Sequence, residues 1–339
     1  VKPYRVISFD GGGVRGAFTT QVLKRLCEPP YNIDLNSVNL FAGTSTGSVI
    51  AAGLAMGLGI DKVSRFYEES NCKHIFSQKR ILGGWLSSKY KREPLAEFLS
   101  AHYVGDPTLE ELPRGVSLSS FQLDSPYSNE WLSVFFHNHQ DFSKHKRLPA
   151  FDYRKIKLVD AVLASSAAPT YFPAYHIEGH GNFIDGGVVA NNPGIAGLSV
   201  AANPINTPHA NINDIRLLSI GNGRALSHVT GAPNWGLYQW TVKSPHPLIN
   251  IMSDGSSDSD HYYCMSILGD RYRRLQIDLP KPIMLDDYHE VPQLVSLANS
   301  TDPKFESELA EIAEWFNAPD KQPVSEVQAA ERLSIEDTL

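Results

Sequence analysis

Two periods of apolar residues alternate along the first half of the chain. Tyr4–Phe9 is a short run of strand-forming residues that stops at Asp10 and three glycines. Phe18, Val22, Leu23 and Leu26 then recur at helical spacing until Pro29 and Pro30 close the pattern. A second strand is expected over Val38–Ala42. It runs into Gly43-Thr44-Ser45-Thr46-Gly47 and a helix over Ser48–Gly57 that is apolar on nearly every side, the mark of a buried helix. Strand, glycine turn and helix in immediate repetition predict an α/β fold with a mostly parallel sheet.

The pattern continues with a helix over Pro94–His102, strands over Val116–Leu123 and Trp131–His137, and a helix over Leu158–Ala168 stopped by Pro169. A strand at Asn182–Ile184 leads to Asp185-Gly186-Gly187. Asn192 then caps a helix that has Pro193 in its first position and continues through Leu198 and Val200. Ile215–Ile220 reads as a strand and the segment from Phe305 as a helix. No internal repeat or low-complexity linker interrupts the chain. One catalytic domain over 1–319 is expected, followed by an acidic tail over 320–339.

Composition narrows the classes. Of 339 residues, 42% are hydrophobic and 20% charged, with a net charge of -7, which argues against nucleic acid as the main partner. The cysteines Cys27, Cys72 and Cys264 are odd in number and form no C-x-x-C pair, so neither a disulfide framework nor a zinc knuckle is expected. This usage fits a reducing, cytoplasmic setting. The longest apolar stretch, around Val49–Leu58, is broken by Gly53 and Gly57 and is too short to span a bilayer. Because the chain begins at Val1, prior removal of a leader stays open. Residues 71–92 stand apart: Lys73, Lys79, Arg80, Lys89, Lys91 and Arg92 interleave with Ile75, Phe76, Ile81, Leu82, Trp85 and Leu86, and no acidic residue is present. This segment is expected to be a cap over the active site or a contact with a membrane surface, where basic side chains meet anionic headgroups.

Gly43-Thr44-Ser45-Thr46-Gly47 has the G-x-S-x-G spacing of a nucleophile on a sharp strand-to-helix turn. Gly43 and Gly47 let the chain pass closely on both sides of Ser45. Gly11-Gly12-Gly13-Val14-Arg15-Gly16 likewise follows a strand and opens a helix, so its N–H groups can hold the oxyanion of an acyl-transfer intermediate, with Arg15 adding charge or ordering the loop. The same residues satisfy the dinucleotide fingerprint G-x-G-x-x-G. That reading needs an acidic residue at the end of the second strand, where Ser45 stands instead; Asp34 lies in a polar loop. No Lys-Ser or Lys-Thr follows the glycines, so a Walker-type phosphate loop fails.

Either a histidine or a carboxylate could activate Ser45. His176 and His180 have the spacing of helical zinc ligands, but Pro173 and Gly179 oppose a helix there, and His137-Asn138-His139 reads as a strand end. Asp185 ends a strand before two glycines, where a partly desolvated carboxylate can serve as a base or simply make an Asx turn.

Together, Asp10–Gly16, Gly43–Gly47, Ala164-Ser165-Ser166-Ala167-Ala168-Pro169, Asp185–Gly187 and Asn191-Asn192-Pro193 resemble, in order, the motifs of the patatin-like phospholipases, relatives of cytosolic phospholipase A2. The resemblance implies a three-layer α/β sandwich with helices flanking the sheet. It also implies cleavage of fatty-acyl esters of phospholipids or related glycerolipids by a Ser45–Asp185 dyad without histidine. The oxyanion hole would be the Gly11, Gly12, Gly13 loop with Arg15, and neither metal nor organic cofactor is implied. Ser48 stands where many members have a second glycine. The competing classes are a dinucleotide-dependent enzyme and a storage or regulatory protein of the same fold with little catalysis. No pattern speaks to oligomeric state.

Overall fold

The computed structural model describes residues 3–81, 87–125, 130–139, 152–225, 235–236, 240 and 247–319. The first half contains β1 (Tyr4–Phe9), α1 (Gly16–Cys27), β2 (Leu40–Thr44), α2 (Thr46–Ala55), α3 (Ile60–Arg65), α4 (Glu69–Ile75), α5 (Glu93–His102), β3 (Gly115–Gln122) and β4 (Leu132–His137). The second half contains α6 (Leu158–Ser165), β5 (Tyr175–Ile177), β6 (Gly181–Asp185), α7 (Gly194–Ala202), β7 (Ile215–Ile220), β8 (Arg224–Ala225), α8 (Pro247–Leu268), β9 (Tyr272–Leu275), β10 (Asp278–Leu279), α9 (Val291–Ala298) and α10 (Pro303–Asn317).

The main sheet has the order β5-β6-β3-β2-β1-β7-β9, with β4 paired to β3 off this path. The pairs among β3, β2, β1, β7 and β9 are parallel, whereas β6 pairs antiparallel with β3 and β5, and β4 antiparallel with β3. Alternation along β1 shows how the layers form. Tyr4 and Val6 enter one apolar cluster with Leu198, Val200, Leu217, Cys264 and Leu268, from α7, β7 and α8. Ile7 and Phe9 point the other way, into the larger cluster with Phe18 of α1, Ile50 of α2 and Val162 of α6. A strand with both faces covered is apolar along most of its length, which is why the segment reads as a nearly continuous run. All ten residues of α2 are buried, as its all-round apolar pattern requires. Burying each large side chain of this kind contributes about 1.5–3 kcal/mol.

Some boundaries shift from the sequence reading. The second strand runs over Leu40–Thr44 because Asp34 caps a short 3-10 turn at Leu35–Ser37 and delays it. The helix expected to reach Ala168 ends at Ser165, where two serines turn their hydroxyls towards the Ser45 loop. Pro193 is the cap of α7 and not its first residue, while Asn192 Oδ1 accepts from Gly194 N–H at 3.0 Å. Several elements lie where none was read: the short helices α3, α4 and α9, the two-residue strands β8 and β10, α8, whose middle is rich in Ser and Asp, and β9. The 320–339 tail and Leu82–Leu86, with Trp85, lie outside the described residues.

Candidate active site

Parallel pairing brings three turns to one edge of the sheet. Phe9 is level with Gly43 and with Ile220, so the turns after β1, β2 and β7 leave the sheet side by side. On the other flank Thr44 pairs with Ser119 of β3, and Asp185 with Ser120. The end of β6 therefore stands level with the end of β2, and Ser45 meets Asp185 across β3.

Ser45 caps α2 with φ 54° and ψ -122°, a left-handed conformation in a residue that is not glycine. Strain of this kind costs about 1–3 kcal/mol and persists only where the surroundings enforce it. Those surroundings are tight. A side chain on Gly43 would overlap the Gly47 carbonyl, and one on Gly47 would overlap the carbonyl of Phe9. Ser45 N–H donates to Ser165 Oγ at 3.0 Å, and its carbonyl accepts from Ser48 Oγ at 2.6 Å and Ser166 Oγ at 3.2 Å. Ser48 thus bonds back to the turn that carries Ser45. Tyr67 closes the next residue, its hydroxyl donating to Thr46 O at 2.9 Å.

The Ser45 side chain lies near enough to the Asp185 carboxylate to favour its charged form. Ser45 is 9% exposed and Asp185 5%. Burial pushes the Asp185 carboxyl up to about 6, against the opposing pull of the nearby Ser45 hydroxyl and of the Gly187 N–H. The bond from Gly187 N–H, 2.7 Å long, holds the carboxylate in an Asx turn. A side chain on Gly186 would overlap Ser119 O, which explains the first glycine after the aspartate.

The glycine loop lies beside this pair. Gly11 N–H donates to Asn191 O at 2.9 Å and Val14 N–H to Leu285 O at 2.9 Å. Among the described residues, the N–H groups of Gly12 and Gly13 make no backbone hydrogen bond. Arg15 is turned towards carbonyls, with Nε donating to Gly12 O at 3.2 Å and Nη1 to Gly223 O at 2.9 Å. Below the loop Arg274 of β9 forks onto Asp10, at 3.1 and 2.6 Å, and donates to Ser219 Oγ at 2.7 Å. An apolar cavity opens from Gly13 and Ser45, walled by Val49, Phe66, Phe76, Phe98, Phe172 and Leu285.

The sequence reading missed Asn222, Tyr67, Arg274 and the bonding roles of Ser165 and Ser166. The serine pair, polar within an otherwise apolar helix, was a readable signal, and so was Asn222 between two glycines after a strand. His137 and His139 close β4, where His139 Nε2 meets Tyr4 OH at 2.6 Å, while His176 lies on β5 and His180 in the turn after it. Among the described residues no group of three or more His, Cys, Asp and Glu side chains could hold a metal ion, and no helix is long and apolar enough to cross a membrane.

Known proteins are similar to this chain in sequence. The family model described as patatin-like phospholipase matches residues 7–195, the stretch holding the glycine loop, Ser45 and Asp185. Protein teg of Priestia megaterium is 29% identical over 88% of this chain and 95% of its own. A cGAMP-activated phospholipase of Vibrio cholerae is 31% identical over 64% of this chain and 63% of its own. Patatin-like protein 2 of Arabidopsis thaliana is 26% identical over 77% and 71% respectively. With the family model covering more than half its length, the chain belongs to the patatin-like phospholipases, a family of lipid hydrolases.

Proposed function

We propose that this protein hydrolyses fatty-acyl esters of phospholipids or related glycerolipids through an acyl-enzyme on Ser45. The observation that carries this reading is that Ser45 lines an apolar cavity and has the buried Asp185 carboxylate beside its strained turn. Asp185 takes the proton of Ser45 Oγ as that oxygen attacks the ester carbonyl. The tetrahedral intermediate collapses, and the proton passes from Asp185 to the departing alcohol. Water then repeats the sequence on the acyl-enzyme and releases the fatty acid. A carboxylate raised to about 6 is a stronger base than an exposed one, yet still ionised at neutral pH. In this reading Gly12 and Gly13 N–H hold the oxyanion. Gly11 N–H is occupied by Asn191, and Arg15 orders the loop through Gly12 O.

In this reading the 71–92 segment has both expected roles, cap and membrane contact. Cys72, Ile75 and Phe76 line the acyl cavity as a cap. Lys73, Lys79, Arg80 and Lys91 are exposed beside Ile81, itself 95% exposed, a pattern suited to an anionic membrane surface. Lys89 is instead ion-paired with Asp286.

Fatty-acid release from mixed phospholipid vesicles tests the function. Wild-type protein is expected to release fatty acid, and Ser45→Ala or Asp185→Asn to lose at least about 10³-fold in kcat with the fold intact. Release that survives Ser45→Ala contradicts the assignment of the nucleophile.

A further inference from the structure

Neither flanking side chains nor its own sterics fix the orientation of a Gly-Gly peptide. Without Cβ atoms such a unit can rotate at little cost and present either its N–H or its carbonyl to a given side. An oxyanion hole built on Gly11-Gly12-Gly13 therefore needs an external device to keep its donors inward, because a flipped peptide would aim a carbonyl oxygen at the developing negative charge.

Asn222 supplies that device for the first peptide. It leaves β7 in the Gly221-Asn222-Gly223 turn and is 3% exposed. Its Nδ2 donates to Gly11 O at 2.7 Å and to Asp10 O at 3.3 Å. In a trans peptide the carbonyl and the N–H of the next residue point in opposite directions. Holding Gly11 O therefore turns Gly12 N–H away from Asn222. Arg15 does the same for the following peptide through Gly12 O, so Gly13 N–H is turned away in step. The two sides of the loop differ accordingly. Asn222, Arg15 and Gln276 line a small polar pocket behind it, while Gly13 and Ser45 line the apolar cavity in front. A side chain on Gly12 would overlap the Asn222 carboxamide, so the two groups are packed without slack. The turn bearing Asn222 is itself held, since Gly223 N–H donates to Gln276 Oε1 at 2.9 Å.

We propose that Asn222 is a positioning residue for acyl transfer: by clamping the Gly11 carbonyl it presents Gly12 N–H to the oxyanion. The proposal rests on the acyl-hydrolase reading of Ser45 and Asp185. Asn222→Asp is the sharp variant, because it keeps shape and replaces the donor with an acceptor that repels Gly11 O. Asn222→Ala removes the donor without adding charge. Both are compared with wild type on p-nitrophenyl butyrate, together with inhibition by an alkyl trifluoromethyl ketone, which forms a tetrahedral adduct with a serine. Binding of the matching fatty alcohol, which fills the cavity without an oxyanion, and Tm are measured alongside.

The expected result is a fall of about 10- to 100-fold in kcat and a matching loss of ketone affinity, with KM, alcohol affinity and Tm nearly unchanged. Unchanged kcat in Asn222→Asp, or an equal loss of ketone and alcohol binding with a lowered Tm, overturns the proposal. The two readings fail separately. Ester turnover that survives Ser45→Ala overturns the acyl-hydrolase reading and the role of Asn222 with it. Turnover that depends on Ser45 but ignores both Asn222 variants overturns the role of Asn222 alone.

Discussion

The turns after β1 and β2 are built from the same parts, a buried strand, a glycine-rich corner and a helix, and they do opposite things. After β2 the glycines are pressed against main chain: Gly43 against Gly47 and Gly47 against Phe9. That pressure forces the strained conformation onto Ser45 and puts a side chain forward. After β1 the glycines meet groups that hold the loop from outside, namely Asn191, Asn222 and Leu285, and the loop puts main chain forward. In the proposed function, one corner makes a nucleophile from a side chain, and its neighbour makes an anion site from peptide groups. Glycine is required in both for close approach: against main chain in the first, and in the second against the Leu285 main chain and the side chains of Asn191 and Asn222.

The largest effect should come from breaking the first corner. In Gly47→Ala the new methyl meets the Phe9 carbonyl, which belongs to a central strand and cannot retreat. A loss of about 3 kcal/mol or more, or failure to fold, is expected in denaturant unfolding. In Gly12→Ala the methyl meets the Asn222 side chain instead. That variant should fold, with Tm lowered by only a few degrees, and lose about 10- to 100-fold in kcat. Equal damage to stability in both variants would erase the distinction between the corners.

Much of this design was legible in the chain. The glycines, Ser45 and Asp185 sit where local pattern changes abruptly from strand to helix, and such breaks are visible without tertiary information. What clamps the corners was not legible. The buried face of α8 is Ser257, Asp260, Cys264 and Leu268, too polar to show a helical apolar stripe, and the exposed Gly255 interrupts the helical pattern. β9 carries Arg273 and Arg274 in succession, which obscures a strand, because Arg274 is spent inward on Asp10. Polar groups that are buried because a distant partner satisfies them leave no local signature.

A smaller, graded effect is expected from pH. Asp185 must be ionised to take the serine proton, and burial raises its carboxyl to about 6. Rate constants on a soluble ester should be flat above that value and fall about tenfold per unit below it. The same shift has a stability counterpart. A raised carboxyl favours the folded state while protonated, and that contribution is lost as pH rises through about 6. Asp185→Asn should therefore raise Tm at pH 8 relative to wild type, and less so or not at all at pH 4. A profile with its midpoint near the ordinary carboxylate value would mean that the site is wetter than its geometry.

The smallest effect concerns the outer surface of the cap. Charge reversal at Lys79, Arg80 and Lys91 should reduce activity on anionic vesicles several-fold, in a salt-sensitive way, and leave a soluble ester unaffected. Equal losses on both substrates would assign the segment to the cap alone.

The central claim is that the side-chain corner forms a covalent intermediate with the acyl group. Quenching the protein in acid during turnover of a slowly deacylating ester, followed by peptide mass mapping, tests this most directly. One acyl group on the peptide containing Ser45, absent in Ser45→Ala, is the predicted result. Continued turnover with no adduct on Ser45, or an adduct at another residue that persists in Ser45→Ala, would contradict it.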